Sequence, residues 1–549
     1  MHGKDSSRDK AVLSRRGFLG VAFGVVGASL LAACAQSAPA ASTSAPTSAA
    51  PTAAPAKPAA AATTAPASAP TQAPSTARAA EWVVALTEEP TSFDAAVSTY
   101  TFSNVMVETH MLENLVDVQG QDLKVTPVLA ESWRSVDPTT WEFKLRQGVK
   151  WHNGDDFTSD DVKWTMDRMR DPQGQRAYMV SQFESVEAPD PSTVVIKTKA
   201  PYGPMIAQLT DIVILPRKAF EAMGADAFSQ KPIGTGPYRM VEWVRDQHLT
   251  MEANPNWWRG GVNPQRLTFR TIADPSTRVA ELRSGGAHII QSVPAAELDR
   301  LDSGDTRTVN ISEGRVMIYP FNMARKPFDD PRVRQAILYG TDRATIVKSV
   351  VGKYGTQLAG PFTSKWMGYD PNVQAYPYDP DQAKDLLSQA GQSSLEFDWN
   401  ITNGVFLKDR EVAEALANQL SKIGVKMNLR VTERAKLQED FNAGNFQLTS
   451  VAWGTRPDPD PMLASVVTAR DSNTDAELKQ LIQQGRSTVD DAQRRDVYAQ
   501  VDKRMRDQAE WLFVYAQAET FGKRADVAWD GVPTHGSLAI NLFYQVQPR

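Results

Sequence analysis

In the C-terminal half of the chain, segments with the hydrophobic spacing of a strand alternate with segments that have the spacing of a helix. Apolar residues at every second position predict strands over 395–401 and 425–431, since successive side chains of a strand point to opposite faces. Between these strands apolar residues recur at helical spacing, at Val412, Leu416, Leu420 and Ile423. Gly424 then ends the predicted helix. This order predicts a βαβ unit with a right-handed crossover, and therefore an α/β domain.

The same two periods predict the other main elements. Strands are expected at 81–86, 192–199, 267–272, 446–453 and 511–515, and helices at 100–115, 158–170, 274–286 and 490–510. Thr158 with Asp161 resembles a capping box, and Asp274 with Pro275 is an N-cap and first-turn pair. These polar residues mark where two of the helices begin.

A glycine- and proline-rich turn, KPIGTGP at 231–237, is expected to lead into a β-hairpin. The return strand alternates, with Leu249, Met251 and Ala253 on one face and polar residues on the other. A loop with two tryptophans, NPNWWRGGVNP at 254–264, follows before the strand at 267–272.

The first 34 residues are interpreted as an export signal. Arg15 and Arg16 lie in SRRGFL, which fits the twin-arginine pattern, and the apolar run at 17–31 is too short to cross a bilayer. The run ends in LAAC, which resembles a bacterial lipobox and predicts a diacylated Cys34. The alternative is a coincidental buried cysteine. Residues 35–80 contain mainly Ala, Pro, Ser and Thr, and predict a disordered tether.

Composition narrows the class of protein. A chain of 549 residues is too long for one core, so two or three domains are expected. The formal net charge of −5 argues against nucleic acid as a partner. With one cysteine the chain cannot form an intramolecular disulfide or a thiolate zinc cage. No stretch of about 18 or more apolar residues predicts a membrane span in the body of the chain.

Five blocks of sequence occur in one order and carry a family resemblance. They are TPVLAESW (126–133), WEFKLRQGVKWHNGDDFTSDDVKW (141–164), the hairpin-to-helix stretch 231–287, KPFDDPRVRQAI (326–337) and AYPYDPDQAKDLLSQAG (375–391). Together they resemble the family 5 extracellular solute-binding proteins, the peptide and nickel class that serves bacterial ABC importers. The resemblance covers residues 81 to 549, and the N-terminal segment matches the lipoprotein form.

The resemblance implies an α/β fold of the type II periplasmic-binding-protein class. Two lobes should enclose a cleft, with an extra subdomain in the first lobe, the arrangement called cluster C. The expected division is 1–34 signal, 35–80 tether, 81–116 first part of lobe I, 117–200 inserted subdomain, 201–271 second part of lobe I, 272–510 lobe II and 511–549 last part of lobe I. The strands near 267–272 and 511–515 should cross between the lobes as a hinge.

The resemblance also implies a function. The chain should capture a solute in the cleft, with peptide as the most frequent class, and deliver it to the transmembrane subunits of an ABC permease. It should act as a monomer without a cofactor or metal, held by its lipid on the outer face of the bacterial cytoplasmic membrane. Oligosaccharides, anionic solutes and metal chelates are alternative ligands. A secreted hydrolase or a sensory receptor is the alternative from another class.

Catalytic motifs are absent from the sequence, so no catalytic residue is assigned. There is no HExxH, no GxSxG elbow and no Walker A loop, and the six histidines are not at metal-ligand spacing. His152 beside Asp155 and Asp156 is interpreted as a polar turn before a capped helix. His288 stands where family members usually carry an acid, and no function is assigned to it.

The loop after the strand at 446–453 is the main candidate for ligand contact. Ligands of α/β sheets bind beyond the carboxyl ends of strands, which places GTRPDPDPM in the cleft. Trp453 offers an apolar face, Arg456 a fork for a carboxylate, and Asp458 and Asp460 offer acceptors. The alternatives are a packed core residue for Trp453 and a turn cap for Asp458.

Further cleft candidates follow from the resemblance alone. They are Tyr100, Phe102, Asn322, Trp366, Tyr369, Asn400 and Thr402. For each of them, packing or surface exposure is the alternative.

One departure from the family bears on the ligand. Peptide-binding relatives have an aspartate three residues after the tryptophan, which pairs with the peptide α-ammonium; here that position is Arg456. A permanent cation would repel an ammonium, so di- and tripeptides with a free amine are expected to bind poorly. Ligands with a carboxylate, a blocked amine or a sugar should bind better. Alternatively, Asp458 takes over the role of the family aspartate.

Overall fold

The computed structural model describes residues 81–98, 100–172, 174–531 and 542–547. The expected signal and tether, with Arg15, Arg16 and Cys34, lie outside the described residues. No helix within the described ranges is long and apolar enough to cross a membrane.

The first half of the described chain is rich in antiparallel strands. Its elements are β1 (Glu81–Leu86), α1 (Phe102–Glu108), β2 (Val116–Gln119), β3 (Lys124–Pro127), β4 (Ala130–Asp137), β5 (Thr140–Leu145), α2 (Ser159–Arg168), β6 (Phe183–Asp190), β7 (Thr193–Thr198), α3 (Met205–Leu209), α4 (Arg217–Met223), α5 (Ala225–Gln230), β8 (Tyr238–Val244), β9 (His248–Ala253), β10 (Gly261–Asn263) and β11 (Arg266–Thr271).

The second half alternates between helices and strands. Its elements are α6 (Pro275–Ser284), β12 (Ile289–Gln291), α7 (Leu298–Leu301), β13 (Thr306–Ile318), α8 (Pro331–Tyr339), α9 (Arg343–Ile346), β14 (Gly355–Gln357), α10 (Pro380–Gln389), β15 (Leu395–Ile401), α11 (Asp409–Ser421), β16 (Val425–Val431), α12 (Arg434–Ala443), β17 (Leu448–Thr449), β18 (Val451–Gly454), α13 (Asp460–Leu463), α14 (Ala476–Ser487), α15 (Asp491–Asp507), β19 (Tyr515–Arg524) and β20 (Gln545–Gln547).

A nine-stranded mixed sheet joins the two halves. Its order is β18-β13-β19-β12-β1-β11-β9-β8, and β14 pairs with β19 outside this path. β1 is parallel to β11 and β12, while the hairpin β8–β9 and the long pair β13–β19 are antiparallel. The predicted hairpin after the glycine-rich turn is therefore confirmed.

Smaller sheets carry the rest of the strands. β15 lies between β16 and β17 in a parallel sheet, with α11 as the connection from β15 to β16. The predicted βαβ unit is confirmed, with both strands at the predicted residues. The order β4-β5-β7-β6 forms an antiparallel sheet, and β2–β3 and β10–β20 form two-stranded pairs.

The predicted helix caps are confirmed. The backbone N–H of Thr277 donates to the Asp274 carboxylate at 2.7 Å, and Gly285 ends α6 with φ of 83°, in the left-handed region. Thr158 and Asp161 form a capping box at the start of α2, where the Thr158 N–H donates to Asp161 at 3.0 Å.

Three predicted elements are wrong in extent. The helix expected at 100–115 spans only Phe102–Glu108. Beyond it the carbonyls of His110 and Met111 accept from the N–H groups of Tyr238 and Gly236, which ties this segment to the glycine-rich turn. The strand expected at 446–453 is divided at Ser450, because β17 pairs with β15 whereas β18 pairs with β13 of the large sheet.

The strand expected at 511–515 begins at Tyr515 instead and extends to Arg524. Its ladder partner β13 ends at Ile318, so only single contacts, such as Leu512 N–H to Tyr319 O at 2.9 Å, reach the residues before it. Residues 511–514 are buried without being part of a sheet.

Three apolar cores organise the described residues. The first core surrounds the β1, β8, β9 and β11 side of the large sheet, the second surrounds the β15–β17 sheet, and the third lies on the β4–β7 sheet. β13 and β19 contribute to both the first core, through Val309 and Phe521, and the second, through Val316 and Ala516. These two strands therefore connect the two cores. The domain boundaries given by the sequence stay predictions.

Candidate functional site

The candidate loop begins where β18 leaves the large sheet. Trp453 lies opposite Val316 in the β13–β18 ladder, and its half-buried side chain packs against the second core. One residue past the strand, the Thr455 N–H donates to the carbonyl of Gly314 at 3.0 Å. The ladder and this bond hold the start of the loop against β13.

Gly314 is required because two strands come close together at this point. A Cβ at residue 314 would lie 2.6 Å from Cγ and 3.0 Å from N of Glu519 on β19. Arg315, the next residue, donates to the Glu519 carboxylate at 2.8 Å. The register of β13 against β19 shifts between Ile311 and Arg315, so the candidate loop is attached to an irregular part of the connecting strands.

Arg456 forms an ion pair with Asp211, which follows α3 in the part of the sequence assigned to lobe I. The Tyr100 hydroxyl donates to the other oxygen of the same carboxylate at 2.5 Å, and the Arg456 guanidinium lies 5.3 Å from the centre of the Tyr100 ring. Asp211 is buried, and Arg456 and Tyr100 are half-buried. The three residues form a cluster, here called the anchor cluster, between segments predicted to belong to different lobes.

A second, fully buried ion pair supports the anchor cluster. The Arg176 guanidinium donates to both Glu108 oxygens at 2.6 and 2.9 Å, and lies 5.2 Å from the centre of the Tyr100 ring. Burial raises the pKa of Tyr100 well above its usual value, and the Asp211 carboxylate raises it further. The hydroxyl therefore stays a donor. The charges of Arg176 and Arg456 are balanced by those of Glu108 and Asp211, so these four residues carry no net charge.

Burial by itself lowers the pKa of Arg456, but the Asp211 carboxylate together with Tyr100 and Tyr178 outweighs this effect, so the net shift is upward. Arg456 is thus a permanent cation whose charge is balanced. The expectation that Arg456 would repel an ammonium assumed that this cation has no partner. In the folded protein it has one, the Asp211 carboxylate.

Asp458 and Asp460 form ion pairs with arginines outside the anchor cluster. Asp458 pairs with Arg494 of α15 at 2.8 Å, and both side chains are buried. Its other oxygen accepts from the backbone N–H of Asp460 at 2.9 Å, which is the geometry of a turn cap. Asp460 pairs with Arg486 at 2.9 Å. Both carboxylates are thus occupied within the protein.

Two segments that are predicted to belong to different lobes also approach each other beside this loop. Gly203, which precedes α3, donates its N–H to the carbonyl of Arg486 at 2.8 Å. A Cβ at residue 203 would lie 2.0 Å from the carbonyl oxygen of Thr488 and 2.4 Å from Nε of Arg494. Only glycine fits this contact, which brings α3, and with it Asp211, close to the candidate loop.

Two of the other candidates have structural contacts. Asn322 is buried and donates to the carbonyls of Gly444 and Phe446, each at 3.0 Å. Thr402 donates to Asp409 at 2.7 Å near the start of α11.

The remaining candidates are scattered. Phe102 begins α1 and packs on the first core. Asn400 is half-buried and lies in β15, opposite Arg430 of β16 and Thr449 of β17 in the strand register. Tyr369 is 40% exposed. Trp366 is 3% exposed, and its indole N–H has no hydrogen-bond partner among the described residues. Tyr100 and Arg456 are two sequence candidates from distant segments that the structure brings into direct contact.

The histidines considered from the sequence have structural contacts. Nδ1 of His152 accepts from the Gly234 N–H and Nε2 donates to the Gly236 carbonyl, each at 3.1 Å. Burial lowers the pKa of His152 to about 4, as expected for a neutral ring between two backbone groups. His288 accepts from the Val83 N–H at 3.0 Å and so fastens β1 to the segment before β12.

Sequence reasoning missed Asp211, Arg176 and Glu108. None lies in a recognisable motif, and each is far along the chain from the residue it contacts. Among the described residues no group of three or more His, Cys, Asp or Glu is placed to hold a metal ion.

Comparison with known proteins places the chain in a family. Residues 124–474 match the bacterial extracellular solute-binding proteins, family 5 middle. The chain belongs to this family. The resemblance seen in the sequence is therefore confirmed. Since the family binds solutes, it supports the expectation that this chain is not an enzyme.

Known proteins resemble this family 5 solute-binding protein in sequence and in fold. The di/tripeptide-binding protein 2 of Pseudomonas aeruginosa is 29% identical over 465 residues, which cover 77% of this chain and 87% of the relative. The structure of HbpA2 from Haemophilus parasuis matches with a TM-score of 0.75 at 23% identity, covering 85% of this chain and all of that chain.

A third relative was solved with an acidic ligand. The binding protein AgaA of A. tumefaciens R10, in complex with agropinic acid, matches with a TM-score of 0.68 at 26% identity and covers 86% of this chain and 99% of that one. The predicted α/β fold of the type II binding-protein class is confirmed.

Proposed function

We propose that this family 5 solute-binding protein captures a short peptide between its two lobes and delivers it to the permease of an ABC importer. The observation that supports a peptide most directly is the anchor cluster. Arg456 and Asp211 place hydrogen-bond donors and an acceptor side by side, and a peptide main chain presents the complementary acceptor and donor.

In the bound state the peptide separates the ion pair. A peptide carbonyl accepts from Arg456, while the N-terminal ammonium or the first N–H donates to Asp211. Each buried charge then keeps a partner, which avoids the cost of an unpaired charge when the cleft closes. Tyr100 holds the Asp211 carboxylate in place, and Trp453 covers the apolar part of the ligand.

This role assigns the amine to Asp211 rather than Asp458. Asp458 is neutralised by Arg494, whereas Asp211 is neutralised only by groups of the anchor cluster. The expected preference therefore differs from the one drawn from the sequence, because a free amine now finds a carboxylate beside Arg456.

Calorimetry on the ligand-free protein tests this function. Trialanine with a free N-terminus should bind about tenfold tighter than N-acetyl-trialanine, the size expected for one hydrogen bond to a charged group. Asp211→Asn should remove the difference, and Asp458→Asn should leave it unchanged. A preference that disappears in Asp458→Asn and persists in Asp211→Asn would return the amine to the family position. Turnover of the peptide would favour a hydrolase.

A non-peptide acid is the second candidate ligand. The relative AgaA, at 26% identity, was solved with agropinic acid, and the guanidinium of Arg456 is suited to bind a carboxylate. Tighter binding of N-acetylated peptides or of opine-type acids than of free-amine peptides would favour this ligand.

The N-terminal segment is proposed to direct export of the protein and its attachment to the membrane. Twin-arginine export through Arg15 and Arg16, followed by lipidation of Cys34, would hold the protein on the outer face of the membrane. The segment 35–80 would then act as a tether between lipid and binding protein.

A further inference from the structure

Asp502 is a buried carboxyl of α15 that forms no ion pair with another described residue. Its Oδ2 accepts from the backbone N–H of Asp370 at 3.2 Å, while its Oδ1 has no hydrogen-bond partner in the described part of the chain. A buried charge is costly unless it has a partner or water, whereas a neutral acid costs much less. The site therefore favours the protonated form of Asp502.

The segment 360–370 packs directly against this carboxyl. A Cβ at residue 360 would lie 2.5 Å from Oδ1 of Asp502, so the backbone of Gly360 covers the oxygen that has no partner. Gly368, with φ of 83°, makes a second close approach to α15, where a Cβ would lie 2.3 Å from Cβ of Tyr498. On the side of Gly360, water can reach Oδ1 only if the segment moves away from α15.

The same segment is attached to the candidate loop. The backbone N–H of Met367 donates to the carbonyl of Pro457 at 3.4 Å. The loop is in turn bound to α15, where the Tyr498 hydroxyl donates to Asp460 at 3.2 Å. A movement of the segment away from Asp502 would therefore disturb a contact that holds the candidate loop.

The titratable and charged groups around Asp502 do not neutralise a negative charge there. Burial raises the pKa of Asp502 to about 7, and the Asp370 carboxylate of the segment adds to the shift, against the effect of backbone N–H groups. On α15, Tyr498 and Arg506 lie one turn to either side. The Tyr498 hydroxyl bonds within the candidate loop, and Arg506 donates to the carbonyl of Gln374 at 2.9 Å.

We propose that Asp502 and the segment 360–370 form a pH-sensitive latch on the candidate loop, which favours ligand capture at mildly acidic pH and weakens it above neutral pH. The proposal rests on the function given above, in which that loop contacts the ligand. With a proton on Asp502, the segment stays against α15 and Met367 holds Pro457. Loss of the proton leaves a buried anion, and the segment moves outward so that water reaches Oδ1. A ligand that needs the docked segment therefore binds together with a proton.

Amide hydrogen exchange tests the latch without a ligand. The native protein and Asp502→Asn are compared at about pH 6 and at about pH 8, since a comparison at one pH cancels the intrinsic pH dependence of exchange. Residues 362–370 should be equally protected in both proteins at the lower pH, and about tenfold less protected in the native protein at the higher pH. Asp385→Asn, at an exposed carboxylate, is the matched control and should behave like the native protein. Equal protection of the native protein and Asp502→Asn at both pH values overturns the latch.

Calorimetry with trialanine tests the effect on binding. Titrations in buffers of different ionisation enthalpy give the number of protons taken up with the ligand. Above neutral pH the native protein should take up a proton that Asp502→Asn does not. Between about pH 6 and about pH 8 the affinity of the native protein should fall about tenfold more than that of the variant. The ligand amine titrates in both proteins, so the comparison removes its contribution.

Gly360→Ala serves as a second variant. Its Cβ would displace the segment from Asp502, so the affinity for trialanine should be reduced at mildly acidic pH and should depend less on pH. Full affinity of Gly360→Ala at mildly acidic pH would contradict the proposal.

The outcomes separate this proposal from the proposed function. Equal proton uptake in the native protein and Asp502→Asn overturns the latch, and a retained preference for the free amine leaves the proposed function in place. If trialanine does not bind at any pH, the proposed function fails for tripeptides, and hydrogen exchange of residues 362–370 decides on the latch.

Discussion

Asp458 and Arg494 form an ion pair at 2.8 Å in which both side chains are almost completely buried. Burial alone lowers the pKa of Arg494, but the Asp458 carboxylate and Tyr498 together outweigh this effect, so the arginine remains charged. The pair joins the candidate loop to α15. Asp458, whose position in the sequence made it a candidate partner for a ligand amine, thus attaches the candidate loop to α15.

Asp458→Asn is expected to lower the free energy of unfolding. Removing one partner of a buried ion pair leaves the other charge uncompensated, which costs about 3–5 kcal/mol. Chemical denaturation followed by circular dichroism measures the change. Asp491→Asn is the matched control, because Asp491 lies 3.9 Å from the same guanidinium with its side chain 78% exposed. It should change stability by about 1 kcal/mol at most. Similar losses for both variants would contradict the expectation.

The raised pKa of the buried Asp502 carboxyl is expected to make the free energy of unfolding depend on pH. Burial raises its pKa to about 7, against an ordinary value of 3.8, while the Asp370 N–H that donates to it at 3.2 Å opposes the shift. The folded state thus holds a proton that the unfolded state releases between these two values. The resulting stabilisation is complete below the lower value and is lost as the pH rises through about 7.

Asp502→Asn should therefore raise stability above neutral pH relative to the native protein, and flatten its decline from mildly acidic to neutral pH. Denaturant unfolding at several pH values measures both effects. Asp385→Asn, at an exposed carboxylate, should leave the profile as it is. An unchanged slope in Asp502→Asn would show that other groups cause the decline.

Trp453→Ala is expected to weaken peptide binding. Loss of a buried aromatic contact in a binding site costs about 1–3 kcal/mol, and closure over ligand should change tryptophan fluorescence in the native protein. Calorimetry with trialanine gives the affinity, and thermal unfolding of the same samples serves as control. Full affinity with reduced thermal stability would assign Trp453 to the second core alone.

Cys34→Ser should release the protein from membranes into the soluble fraction, since a diacyl anchor at that residue is the proposed attachment. Membrane fractionation followed by immunoblotting measures the distribution. Replacing Arg15 and Arg16 together with lysine should block export if the twin-arginine route is used. Tight membrane association of Cys34→Ser would point to another means of attachment.

Local patterns in the sequence determined the regular elements and the family. The alternation at 395–401 and 425–431, the stripe from Val412 to Ile423 and the cap at Asp274 depend on the spacing of nearby residues, and the structure places elements at these sites. Such signals are local because they reflect backbone geometry and the face that a side chain presents. Errors arose where a distant partner ends an element, as at Ser450 and Tyr515.

The composition of the candidate site was decided by the tertiary structure. Arg456 was visible in the sequence, but its partner Asp211 is 245 residues away and lies in no motif. Asp458 could be paired with Arg494 only after α15 had packed on the loop. The effect of a charge depends on the groups within a few ångströms of it, and folding brings those groups together from distant parts of the chain. The sequence therefore determined which charged residues stand in the candidate loop, and the fold determined which partner each of them has within the protein.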